Sequence, residues 1–284
     1  MLITSTLACN KENGRSTNRP DSALKALGEA GYVLKKVSYS TEWSTQTKDI
    51  EFQIDQYFWC TSISSYNVGT WFRYDYYEDK FFGIPAYTVK FNGRGFITEV
   101  VYETKSESKE QKSVKIFQYG PDDKLVSMKK EYWQKGFYED DNTPYESIEK
   151  TVTNLTWEDG NITKIEQTIE SEDDEIGTCT MKTAWNFTYS VSENLYRAYC
   201  SSIAEAIDSD LAFAGLLGYG TNILPEGCDK TTEVVINGRE PDRSSSKRTI
   251  TIEDTTYGSI KCETINSALS GNLISKVNYF YERR

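Results

Sequence analysis

The sequence predicts an all-β protein: a large antiparallel meander sheet curling toward a barrel, with a short N-terminal helix and one apolar helical insert near residues 201–225. Three observations carry this reading. Aromatic residues make up 13% of the 284, with 20 Tyr, 12 Phe and 6 Trp against only 6 Pro, and aromatic and β-branched side chains pack well on a pleated surface. Apolar residues recur with a period of two. Turn dipeptides recur between the periodic segments.

Asp21 to Ala30 reads as the helix, with Asp21 as N-cap, Ala23, Leu24 and Leu27 on one face and Gly31 as terminator. From Tyr32 the period changes to two. Ile50, Phe52 and Ile54 alternate with Glu51, Gln53 and Asp55, the pattern of a half-buried strand. Further strands are predicted at 71–77, 87–91, 97–103, 113–119, 125–133, 147–157, 162–169, 178–189, 232–236, 248–253, 259–265 and 273–281. Asn92-Gly93, Gly120-Pro121-Asp122-Asp123, Asp159-Gly160 and Ser270-Gly271-Asn272 supply turns between them. Aromatic strand ends followed by a turn and an apolar strand start form a loose repeat, too irregular for a solenoid. Ser201 to Pro225 breaks the pattern. Ile203, Ile207, Leu211 and Phe213 have helical spacing, and the Gly-rich remainder must turn, so this insert should plug or cap the sheet.

Residues 21–284 are read as one large β domain, with an N-terminal part (21–80) and a hairpin-repeat part (81–284). Residues 1–20 read as the remnant of a lipoprotein signal and a polar tether. Leu7-Ala8-Cys9 is followed by a segment with almost nothing apolar, which cannot bury enough surface to fold. Cys9 is therefore the candidate lipidation site, although the segment before it is short for a signal peptide. The alternative is a tail with an incidental cysteine.

Composition excludes several function classes. There is no histidine, so Ser-His-Asp and Cys-His nucleophile systems and His-containing zinc sites are ruled out. The net charge of −11 argues against nucleic acid, whose affinity comes largely from Lys and Arg on phosphates. No apolar run approaches the roughly 20 residues of a spanning helix. Of the 6 cysteines, none forms C-x-x-C; Cys60, Cys179, Cys200, Cys228 and Cys262 read as buried small hydrophobes, with room for one disulfide among the last four. No phosphate-cradling loop or calcium loop is present, and no cofactor or metal is expected. The acidic runs at Asp122-Asp123, 139–141 and 172–175 fall at hairpin tips, where acids are solvated rather than paired for catalysis.

Three segments together resemble a family of surface lipoproteins from Bacteroidetes whose β-rich domain has no known activity: Trp157-Glu-Asp-Gly-Asn-Ile-Thr-Lys-Ile165, Leu211-Ala-Phe-Ala-Gly-Leu-Leu-Gly218 leading to Asn222-Ile-Leu-Pro225, and Gly271-Asn-Leu-Ile-Ser-Lys-Val-Asn-Tyr-Phe-Tyr281. The hairpins also resemble the Tyr-Asp repeats of Rhs-type proteins. The resemblance covers about residues 80 to 284. It implies a sheet curling toward a barrel, anchored outside the cell, and no catalytic residues. Lys11-Glu12 after Cys9 is similar in part to the surface-export signal of such lipoproteins. Asp21-Ser22-Ala23 and Asp254-Thr255-Thr256 are similar to the O-glycosylation acceptors of exported Bacteroidetes proteins, which makes Ser22 and Thr255 candidates; a helix cap at Asp21 and a hairpin end at Asp254 are the structural alternatives.

The expected function is that of a cell-envelope surface lipoprotein, lipid-anchored at the outer membrane or periplasmic, acting as a binding module for glycan or protein. A carboxylate-based glycan hydrolase and a structural envelope protein are the alternatives. The candidate ligand surface is the strand at 71–77. In an extended chain Trp71, Arg73, Asp75 and Tyr77 share a face that offers aromatic platforms with a charged donor and acceptor. Phe72, Tyr74 and Tyr76 would then face the core. The plainer account of the first set is an Arg–Asp pair within ordinary sheet packing.

Overall fold

The computed structural model describes residues 23–41, 44–65, 69–75, 80–82, 87–106, 108–137, 143–174 and 177–284. Cys9, Ser22 and Tyr77 lie outside the described residues. Helix α1 (Ala23–Glu29) leads into β1 (Tyr32–Thr41), β2 (Ser44–Ile54), β3 (Cys60–Ser65), β4 (Gly69–Asp75) and β5 (Lys80–Phe81). There follow β6 (Tyr87–Phe91), β7 (Ile97–Lys105), β8 (Lys109–Tyr119), β9 (Leu125–Phe137), β10 (Pro144–Glu158), β11 (Asn161–Asp173) and β12 (Gly177–Glu193). Helices α2 (Ser201–Ala204) and α3 (Ser209–Phe213) interrupt the meander before β13 (Ile223–Ile236), β14 (Asp242–Asp254), β15 (Ile260–Ser267) and β16 (Leu273–Arg283).

Every strand pairs antiparallel with its sequence neighbour, except that β1 pairs with β16 and β5 and β6 are the two ends of the order. The 16-stranded sheet is thus nearly closed into a barrel. Side chains bridge the seam: the Trp71 and Tyr87 rings lie 5.5 Å apart and the Tyr74 and Phe91 rings 5.2 Å apart. Offset and tilted rings at such distances attract through their quadrupoles.

The up-and-down path gives the barrel two unlike ends. The connections at 92–96, 120–124, 159–160 and 255–259 lie at one end, together with the start of β1 and the end of β16. The long β12–β13 connection leaves from this end and carries α2 and α3 into the lumen. Ile203, Leu211, Leu216 and Leu217 of this insert are fully buried. They pack with wall residues Val37, Ile63, Phe72, Ile97, Phe117, Leu125, Ile162, Ile165 and Val277. The insert is a plug, and α1 closes the same end by burying Leu24 and Leu27 beside Tyr199, Phe213 and Tyr279. At the other end, where β7, β9, β11, β13 and β15 finish, the described connections are 237–241 and 268–272, and no helix closes the rim among the described residues. The molecule is a cup with an apolar base and a polar upper wall.

The outward face is charged along its length. Glu103 sits opposite Lys112 with their charged atoms 2.7 Å apart, Lys90 opposite Glu99 at 2.7 Å, and Arg243 opposite Glu233 at 2.7 Å. Lys36 pairs with Asp49 at 3.1 Å, and Lys164 with Glu166 at 2.7 Å. A lipid-facing barrel carries an apolar band about 25 Å tall, and a Lys or Arg at its midplane costs about 2–4 kcal/mol. The charges of these pairs interrupt any such apolar band where they lie.

Several elements differ from the sequence expectation. The insert forms two short helices instead of one, because the Asp208 side chain accepts the Leu211 N–H and starts a new helix. Strand β13 begins at Ile223, nine residues before the expected Thr232, with Pro225 tolerated where the pairing to β12 shifts register. Strand β14 begins at Asp242 rather than Arg248; its Ser-rich start has no hydrophobic alternation and is held by the ladder to β13. The five described cysteines are all free, four of them buried, so no disulfide forms among them.

Candidate functional site

The site is built where the polar upper wall meets the top of the plug. Trp71 on β4, Tyr87 on β6, Val100 and Tyr102 on β7, Ser113 and Lys115 on β8, and Lys130 and Tyr132 on β9 face Asp208 and Asp210 of the plug across a cavity of about 310 Å³. The sheet positions the wall residues by register. Tyr87 is opposite Tyr102, Ser113 opposite both Tyr102 and Tyr132, and Lys115 opposite Lys130. Side chains alternate across a strand, so these inward residues leave the intervening charged ones outside.

Acids on the plug meet cations and donors on the wall. Lys115 Nζ donates to Asp208 Oδ2 at 2.6 Å, and the Trp71 indole N–H donates to Asp210 Oδ2 at 2.8 Å. Lys130 donates to Glu149 at 2.8 Å, and the Gln111 amide donates to the Tyr132 hydroxyl at 2.7 Å. Arg248 reaches Glu205 at the end of α2 at 3.0 Å. Deeper in, the wall carboxylate of Glu263 is fully buried and accepts the backbone N–H groups of Ser201 and Ser202 at 2.6 and 3.0 Å. Cys200, the N-cap of α2, makes no side-chain cap bond, so Glu263 satisfies donors that a helix start leaves open.

These contacts set the protonation of the site. The Asp208 carboxylate beside Lys115 holds its ammonium above the usual lysine range. Burial, reinforced by the neighbouring Asp208 charge, pushes the Asp210 carboxyl above the usual carboxylate range despite the Trp71 hydrogen bond. Burial likewise raises the Tyr87 phenol. Asp208 has both oxygens engaged, Oδ1 accepting the Leu211 N–H and Oδ2 accepting from Lys115. Asp210 Oδ1 and the Tyr87 and Tyr102 hydroxyls have no hydrogen-bond partner among the described residues.

The candidates from sequence fall in different places. Trp71, Arg73 and Asp75 do not share one face. Ile63 pairs with Phe72 and Ser64 with Thr70, so Trp71 is an extra residue in β4, a β-bulge. The bulge turns Trp71 and Phe72 both inward, 8% and 1% exposed. Arg73 stays exposed and lines an outer groove of about 310 Å³ with Asp75, Gln53 and Phe82. Thr255 is half-buried; its Oγ1 accepts the Ser259 N–H at 3.0 Å within the β14–β15 turn. Sequence reasoning missed the cavity partners Lys115, Asp208, Asp210 and Tyr132. Asp208 and Asp210 did leave a signal: charges inside an otherwise apolar, buried segment need partners.

No family model matches the chain, and no curated protein matches it by sequence. Among solved structures, the chain is similar to a porin-like protein from Bacteroides vulgatus, with TM-score 0.46 and 11% identity over 88% of this chain and 98% of that one. It is similar as well to a porin-like protein from Bacteroides uniformis, with TM-score 0.39 and 9% identity over the same shares. At these scores neither likeness bears on function or on family.

Proposed function

We propose that the protein is a saccharide-binding module of the cell envelope whose cup takes a neutral sugar residue on the plug. The observation that carries this is the lining of the 310 Å³ cavity. Three half-buried Tyr rings offer stacking faces beside the edge of the buried Trp71, while amines, phenols and the Asp210 carboxylate offer both donors and acceptors. A polyhydroxyl ligand needs both kinds of partner over an apolar face. The charged exterior supports a barrel standing in water and tethered to a membrane, and the resemblance to surface lipoproteins supports lipidation at Cys9. An unmodified Cys9 thiol in protein extracted from its native membrane would remove the anchor from this account.

A second reading, a carboxylate-based glycan hydrolase, has one observation in its favour. Asp208 and Asp210 lie two residues apart in unlike surroundings, the kind of pair that separates acid from base. The Asp208 side chain is 9% exposed and held between Lys115 and the Leu211 N–H, an anchoring position rather than a reacting one, so binding is the better reading.

The test is calorimetric titration with a panel of neutral oligosaccharides. Trp71 is a poor probe, because truncating a buried Trp costs about 3–5 kcal/mol of stability. Tyr102 is half-buried, and Tyr102→Ala should weaken binding by about tenfold, the equivalent of about 1.4 kcal/mol, with little change in Tm. If no panel member binds, or Tyr102→Ala binds as tightly as the unaltered chain, the reading fails. Hydrolysis of a panel member would favour the enzyme instead.

A further inference from the structure

Beside the Trp71 cavity, the plug meets a second cluster that the neutral-sugar site does not use. Lys230 on β13 and Arg248 on β14 share a single carboxylate, Glu205. Arg248 Nη1 reaches its Oε1 at 3.0 Å and Lys230 Nζ at 3.9 Å. Two cations thus face one anion at this point of the inner wall. Lys230 Nζ also lies 4.9 Å from the centre of the Trp185 ring. The Trp185 indole N–H and the Arg248 Nε–H are both buried without an acceptor, and Trp185 is only 4% exposed. Buried donors without partners are uncommon and costly. The cluster remains open to the lumen through the Lys230 and Glu205 side chains, 26% and 38% exposed.

These features have one chemistry in common: two cations to one carboxylate, with unsatisfied donors beside them. Burial holds the Lys230 ammonium below its ordinary value, and Glu205 only partly offsets this. In a chain of net charge −11, such a local surplus is not a general surface property. Glu205 precedes Asp208 by three residues on the plug, so their Cα atoms are at most about 11 Å apart and both side chains hang from the same short stretch of the insert.

We propose that Lys230 and Arg248 form an oxyanion subsite, which takes a carboxylate or sulfate substituent on the saccharide held in the cup. The proposal deepens the saccharide-binding reading and rests on it for the sugar, but not for the anion. Arg offers a planar fork matched to such oxyanions, and Lys a mobile point charge.

The test uses the full chain at constant ionic strength with three probes: methyl glucoside, methyl glucuronide and inorganic sulfate. Glucuronide should bind at least tenfold more tightly than glucoside, and sulfate should raise Tm more than chloride does at matched ionic strength. Lys230→Met keeps the aliphatic stem over Trp185 and should erase the glucuronide preference and at least halve the sulfate effect, down to the general salting-out level, while leaving glucoside binding in place. Lys230→Arg should restore them. Equal binding of glucuronide and glucoside together with no sulfate effect on the unaltered chain overturns the subsite without any variant. So does a sulfate effect of undiminished size in Lys230→Met, which marks general salting-out stabilisation or an adventitious ion only. Failure of glucoside alone, with the sulfate effect at least halved in Lys230→Met, supports the anion site and instead removes the neutral-sugar reading.

Discussion

Glu263 gives the sharpest test of how the plug is held. Its carboxylate is fully buried on β15 and accepts two N–H groups at the start of α2, at 2.6 and 3.0 Å, with the Tyr279 hydroxyl at 3.4 Å. Glu263→Gln keeps the shape but offers one acceptor where two are used, and turns an NH2 toward a backbone N–H. A hydrogen bond to a charged group is worth about 1.5–3 kcal/mol, and an orphaned buried donor costs about 1–3 kcal/mol. An opposing effect exists, since removing a buried charge relieves its desolvation. With two short, direct N–H bonds lost or weakened, the first effect should win by about 3 kcal/mol. At about 2–4 °C per kcal/mol for large domains, Tm should fall by about 6–12 °C in scanning calorimetry. An unchanged or raised Tm would refute the reasoning and show that desolvation, not capping, dominates at this position.

Lys115→Met should cost about 3–5 kcal/mol, because it leaves the Asp208 carboxylate, whose side chain is 9% exposed, without its cation; adding Asp208→Asn should recover part of the loss in urea titrations, and full additivity of the two would contradict the pairing. Asp210→Asn tests pH dependence. A carboxyl whose folded pKa is raised binds more protons folded than unfolded, so the protein gains stability as pH falls through that raised value and keeps the gain below the unfolded value. At pH 7 the variant should therefore melt above the unaltered chain, and the gap should close as pH falls into the mildly acidic range. A gap that widens on acidification would reverse the assignment.

Much of the barrel was legible because local chemistry agrees with the fold. Asp159 and Gly160 both take positive φ, 49° and 81°, the turn that a two-residue hairpin requires. A Cβ on Gly160 would also lie 2.0 Å from Asn222 Nδ2, where the plug returns to the wall. Ile162 and Ile165, three apart, both face inward because Thr163 is an extra, bulged residue in β11. At Asn92-Gly93 the turn was found but not its chemistry: the Asn92 side chain accepts from Arg94 and Phe96, and Gly95 supplies the positive φ. The site was less legible for two physical reasons. A single bulge at Trp71 breaks the period of two, and nothing in the local sequence marks it. The plug acids find partners on β4, β8, β13 and β14, separations that no local pattern encodes; Asp210 and Trp71 are 139 residues apart.

The central claim is that ligand binds inside the cup, against Trp71, and not on the charged exterior. Fluorine NMR of protein labelled with 5-fluorotryptophan tests it directly, with the Trp71 line assigned through Trp71→Phe. Trp133, whose indole donates to Glu146 on the outer face, serves as the internal control. Saturation with a binding oligosaccharide should move the Trp71 line and leave the Trp133 line in place. Movement of Trp133 with Trp71 unmoved would place the ligand outside the barrel and contradict the account.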